Sequence, residues 1–248
     1  LHGTDAIHFI KNKKSYKIKL KKDQYLENMR RFSLIILEDN SIATLFAYSL
    51  LDWFTNFKVN SFLVKVKING VEQGVYLLEE KLHKTLLERN SLASYEIIKP
   101  NDEWDQQHSD NRIGTRHINP YNWDIASTRF ENLTKKEIGQ LKQYEKLYSC
   151  KEYDCLEFLI DEDNTAKIDA LRVILGTDVI FKGDNQKLLY NTTTGRFVPF
   201  LRTEGVLQKL NYFFDKDLYG KNFEYKNNFL YLIGSSDIFR QKRNYYLW

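Results

Sequence analysis

FLVKVKINGVEQGVYLLEEK, residues 62–81, is the stretch on which the fold turns. Two runs rich in β-branched and aromatic residues flank Asn69-Gly70, a dipeptide that supplies the positive φ angles a tight reversal needs. Val64, Val66 and Ile68 alternate with Lys65 and Lys67, the period of a half-buried strand. The spacing therefore predicts an antiparallel hairpin. Its second run closes on two carboxylates, Glu79 and Glu80, just before KLHKTLLERN, which reads as a helix over residues 82–90.

Upstream, AIHFI (6–10), SYKIKL (15–20) and FSLIIL (32–37) read as strands, with residues 11–14 as a connecting turn. A helix is predicted over residues 41–54, capped by Asn40 or Ser41, with Ile42, Leu45, Phe46, Leu50 and Trp53 as its apolar stripe. YEIIK (95–99) is a short strand, and Pro100 ends this half. Residues 101–130 are polar, carry Trp104, Trp123, His108 and His117, and read as a long functional or mobile crossover. Beyond it the pattern turns helical, at residues 135–149, 153–162 and 165–176, the last capped by Asn164 or Thr165. A β-pair, KLLYN and GRFVPF, follows around the turn at residues 192–195, with further helix at 205–214 and 235–246. The predicted plan is α+β, a strand-rich half over residues 1–103 and a mostly helical half over residues 104–248 with one inserted hairpin. Two-lobed phosphoryl-transfer enzymes share this plan, as do many proteins with no catalytic role.

Composition narrows the class. A hydrophobic share of 42% with 28% charged residues is that of an ordinary folded domain. No apolar run approaches the roughly 18 residues of a membrane helix. The chain opens on Leu1 with no charged-then-apolar leader, which fits a trimmed chain and leaves its compartment open. Between residues 11 and 22, Tyr16, Ile18 and Leu20 alternate with Lys17, Lys19 and Lys21, so the lysines read as the wet face of a strand. The competing reading is a surface for an anionic polymer. Cys150 and Cys155, five apart in a predicted helical region, fall on different helix faces and are expected to be packing residues, neither bridged nor zinc-bound.

Phosphoryl transfer needs a cation for the phosphates, a carboxylate to orient it, oxygen ligands for a metal, and a base. If the strands ending in Glu80 and Lys99 are neighbours, those two side chains meet; otherwise both are solvated strand-end charges. Asp178, Asp184 and Asn185 precede the second β-pair and Glu204 follows it. Such oxygen donors suit Mg²⁺. Asp-Asn beside a turn is equally ordinary turn chemistry. The chain has neither a glycine-rich phosphate loop nor a Gly-x-Ser-x-Gly elbow.

In order, KKSYKIKL, RRFSLII, VKVKINGVEQGVYLLEEKLHKTLLERN and YEIIKPNDEW resemble the CotH kinase family, which includes spore coat protein H. The later DNQKLLYNTTTGRFVPF resembles that family's second block, and the matching blocks run over residues 2–205. The resemblance implies a two-lobed, atypical protein kinase that moves the γ-phosphate of ATP, with Mg²⁺ or Mn²⁺, to a Ser/Thr-rich protein partner. It implies Lys99 on the phosphates, Glu80 orienting Lys99, Asp184 as base or metal ligand with Asp178 competing for the base role, and Asn185 with Glu204 on the metal. A bacterial envelope, surface or spore location would follow; a nucleic-acid partner would not. The chain departs from the pattern after Pro199-Phe200. The family carries Trp-Asp there, whereas this chain reads Leu201-Arg202-Thr203-Glu204, which places a carboxylate only with a one-residue shift. A non-catalytic scaffold that keeps the fold is the alternative expectation.

Overall fold

The Asn69-Gly70 reversal is built as expected, both residues taking positive φ, 50° and 82°. It joins β3 (Ser61–Ile68) to β4 (Val71–Glu80), and with β1 (Tyr16–Lys19) and β2 (Arg31–Ile36) these form an antiparallel sheet in the order β1-β2-β4-β3. In this computed structural model the described residues are 13–37, 41–100, 123–125, 142–143, 146–147, 149–177, 187–203, 206–207 and 229–248. The strand expected at residues 6–10 lies outside them, as do most of the crossover at 101–130 and the helix expected at 205–214. Met29, Phe32 and Leu78 are buried together on one sheet face, with Ile18, Leu34, Phe62 and Val64 packed around them. The register slips between Val66 and Lys67, where Gly74 adopts a φ of 83° and lets β4 bulge.

Helix α1 (Ser41–Thr55) forms where expected but buries a different face. Ser41, Thr44, Ala47, Tyr48 and Leu51 are buried, whereas Ile42, Phe46 and Trp53 of the predicted stripe are 74%, 48% and 77% exposed. Small side chains let the helix approach closely, and Tyr48 Oη donates to Glu79 Oε1 at 2.9 Å. The buried face is thus the one that carries this polar anchor, not the wider apolar stripe. Helix α2 (Lys84–Arg89) is capped by His83, whose ring accepts from Thr85 N. These elements belong to one compact unit, Leu1–Ala93.

The second compact unit is Ser94–Trp248, beginning just before YEIIK. It holds a second antiparallel sheet, β6-β5-β7-β8, made of β5 (Tyr95–Pro100), β6 (Trp123–Ile125), β7 (Leu188–Asn191) and β8 (Arg196–Pro199). The hairpin expected in this half is thus two strands of a four-stranded sheet. Its turn is held by Asn191, whose Oδ1 accepts from Thr193 N at 2.9 Å and Thr194 N at 3.2 Å. Described helices are α3 (Tyr153–Glu157), α4 (Glu162–Leu175), α5 (Phe229–Ser235) and α6 (Asp237–Tyr245). Asp161, not Asn164 or Thr165, caps α4, accepting from Asn164 N at 3.1 Å. Strand β8 is tied to the loop before α4 by Phe197 N to Leu159 O at 2.8 Å and Asp161 N to Phe197 O at 2.9 Å.

Two features of this unit have no local sequence signature. Asp169 and Arg172, fully buried on α4, pair at 2.6 Å, and Arg243 of α6 approaches the other Asp169 oxygen at 3.7 Å. Cys150 and Cys155 are joined as a disulfide, which overturns the packing assignment. Residues 150–152 are not helical and α3 starts only at Tyr153, so the two Cα atoms lie 5.5 Å apart, within bridging range.

Candidate active site

Of the predicted site residues, Glu80 is the one whose side chain is described. Strand β4 carries it to the sheet end, opposite Phe32 of β2 and on the core face. Its Oε2 accepts from Asn60 N at 3.1 Å and from Arg89 Nη2, while Arg89 also donates to Lys58 O at 3.0 Å. Asn90 adds a reciprocal clamp, accepting from Lys58 N at 2.6 Å and donating to Lys58 O at 3.0 Å. Glu80 therefore fastens α2 to the chain entering β3. Burial raises its carboxyl pKa, and the Asn60 N–H and the Arg89 guanidinium pull it back down. Oε1 is buried with no hydrogen-bond partner. Arg89 was not among the sequence candidates, because nothing in the local pattern marks a partner nine residues away.

Lys99 belongs to the other sheet. Strand β5 pairs with β6 and β7, not with β4, and Lys99 stands at the register position opposite Asp124. The strand adjacency that would have brought Lys99 to Glu80 is therefore absent: the two strands lie in different sheets, each of which closes on its own partners.

Asp178, Asp184, Asn185 and Glu204 lie outside the described residues. Among the described residues flanking them, Phe200 N donates to Lys187 O at 2.8 Å beside the start of β7, and Leu207 N donates to Leu175 O at 2.8 Å at the C-terminal end of α4. Thr203 and Val206 are 6% and 1% exposed. In β5, Ile98 is in register with Leu188 at the start of β7, so the backbone of Lys99 stands at the sheet end where β7 begins. Among the described residues no group of three or more His, Cys, Asp or Glu side chains is arranged to hold a metal ion. No described helix is long and apolar enough to cross a membrane.

The family model described as CotH kinase protein matches residues 2–198. The chain belongs to the CotH kinase family. No curated protein matches it. The matched residues take in both sheets, the Asn-Gly hairpin, Lys99 and the entry to β7. An α+β chain with antiparallel sheets and several helices is compatible with the kinase-like fold that CotH membership suggests.

Proposed function

We propose that this CotH-family chain transfers the γ-phosphate of ATP to a Ser or Thr hydroxyl of a protein partner, using a divalent cation. The observation that carries the reading is the family match over residues 2–198, which takes in Lys99, Asp178, Asp184 and Asn185.

In this reading the Lys99 ammonium carries the phosphate charge, and Asp184, or Asp178 in its place, takes the proton of the acceptor hydroxyl. The hydroxyl oxygen bonds to the γ-phosphorus as the bond to the β-phosphate oxygen breaks, and ADP leaves. Asn185 and Glu204 offer oxygen donors of the kind Mg²⁺ or Mn²⁺ takes. When bound, that cation neutralises charge on the phosphates and orients them. The non-catalytic reading, a binding module on the same fold, is favoured by one specific departure: buried Thr203 and a shifted Glu204 where the family carries Trp-Asp.

The test is phosphate transfer from ATP to a Ser-rich protein or to the chain itself, followed by mass spectrometry with Mg²⁺ or Mn²⁺ present. Asp184→Asn is expected to lower the rate by about 10²–10⁴-fold, and Glu204→Ala to abolish phosphate transfer. A native-folded parent chain that transfers no phosphate with either metal supports the scaffold instead.

A further inference from the structure

The first unit carries a second concentration of charge that phosphoryl transfer does not use. Lys19 on β1 is registered directly opposite Arg31 on β2. Directly opposed residues of an antiparallel pair share a face with Cβ atoms about 5 Å apart, and like charges so placed repel. Arg31 O accepts from Lys81 N, and Arg30 O from Leu20 N, each at 3.0 Å, which fixes this end of the strands in place. His83 follows β4 closely enough that Arg31, Arg30 and Lys19 all act on its ring.

Among the described residues these cations have no carboxylate of their own. No side-chain hydrogen bond or ion pair joins Lys19, Arg30 or Arg31 to another described residue, and the Nε atoms of both arginines are buried without an acceptor. By register the next carboxylate on this face is Glu79, opposite Ser33, and it already accepts from Tyr48. His83 Nδ1 is turned to Thr85 N at 3.4 Å and Thr85 Oγ1 at 3.3 Å. As the acceptor in the Thr85 N–H bond, it leaves the proton of the neutral ring on Nε2, a further donor.

We propose that Lys19, Arg30, Arg31 and His83 form a binding site for a phosphate group at this end of the first sheet. The site stands on residues of the first unit alone and does not depend on the kinase reading. Two guanidinium groups and an ammonium match a tetrahedral oxyanion with charge-assisted hydrogen bonds, and the anion relieves the Lys19–Arg31 repulsion. Burial and the three cations depress the His83 pKa to about 4, so its ring is neutral near pH 7. A bound dianion raises that value by offsetting the same three charges.

The experiment is a titration of the full chain with inorganic phosphate at constant ionic strength, read on the His83 ring signals in NMR. His83→Asn identifies those signals. A saturable shift is expected, with the His83 titration midpoint moving up, and Arg31→Gln weakening phosphate affinity about tenfold. Lys19→Gln is expected to weaken it in the same direction. Absence of saturation, or unchanged affinity in an Arg31→Gln chain with a native amide spectrum, overturns the proposal. Competition separates the two sources of phosphate. Displacement by ATP with the same Arg31 dependence assigns the site to a nucleotide. Displacement by a phosphoserine peptide but not by ATP assigns it to a phosphorylated protein.

Discussion

Glu80 shows how far a single residue can be read. Its place at a strand end next to a predicted helix was visible in sequence. Its partner was not, because Arg89 reaches it only after α2 folds back over the chain entering β3. Arg89→Ala would leave a carboxylate with a 2% exposed side chain facing only the Asn60 N–H. Removing one member of a buried pair is strongly destabilising, and a loss of about 3 kcal/mol is expected for Arg89→Ala. Glu80→Gln, which keeps the shape and an acceptor oxygen, should cost clearly less. Urea unfolding midpoints of the two variants test this; equal losses would mean that the charge of Glu80 does not matter. Lys99 illustrates the opposite limit. Its strand was legible from YEIIK, but hydrogen-bond partners in a sheet are chosen over long sequence separations, here residues 123–125 and 188–191.

At the scale of elements, α1 was found within a residue of its observed ends, yet its buried face was misassigned. Periodicity counts apolar side chains, whereas packing also rewards small residues that allow close approach and polar ones that find a partner. Ala47, Thr44 and Tyr48 are buried, while Ile42 and Trp53 remain in solvent. Leu51 is 2% exposed and Trp53 77%, so substitutions two apart on the chain should diverge. Leu51→Ala is expected to cost about 2–5 kcal/mol, and Trp53→Ala to stay within about 0.5 kcal/mol. Thermal and chemical unfolding of the pair would show it, and a large loss at Trp53 would mean that its face is covered. The cysteines misled for a related reason. Five-residue spacing argues against a bridge only if the helix is continuous, and it is broken at residues 150–152.

For the whole molecule, CotH membership leads to a ligand prediction that does not require turnover. ATP with Mg²⁺ or Mn²⁺ at about 100 times its dissociation constant should stabilise the fold by about 2.7 kcal/mol, raising Tm by roughly 5–10 °C. The shift should vanish with EDTA and in a chain lacking the Asp184 and Glu204 carboxylates, while Lys19→Gln with Arg31→Gln leaves the metal dependence in place. An equal shift without metal would point away from the kinase site. What the sequence alone determined was local: the Asn69-Gly70 reversal, the alternation of β1 and β3, the position of helix α1 and the ordered family blocks all rest on residues near one another in the chain. Only the tertiary structure decided which strands share a sheet, which face of α1 is buried, that Arg89 holds Glu80, and that Lys19 and Arg31 stand side by side. Those outcomes depend on contacts between distant residues, whose free energy exists only once the chain has closed the loops between them.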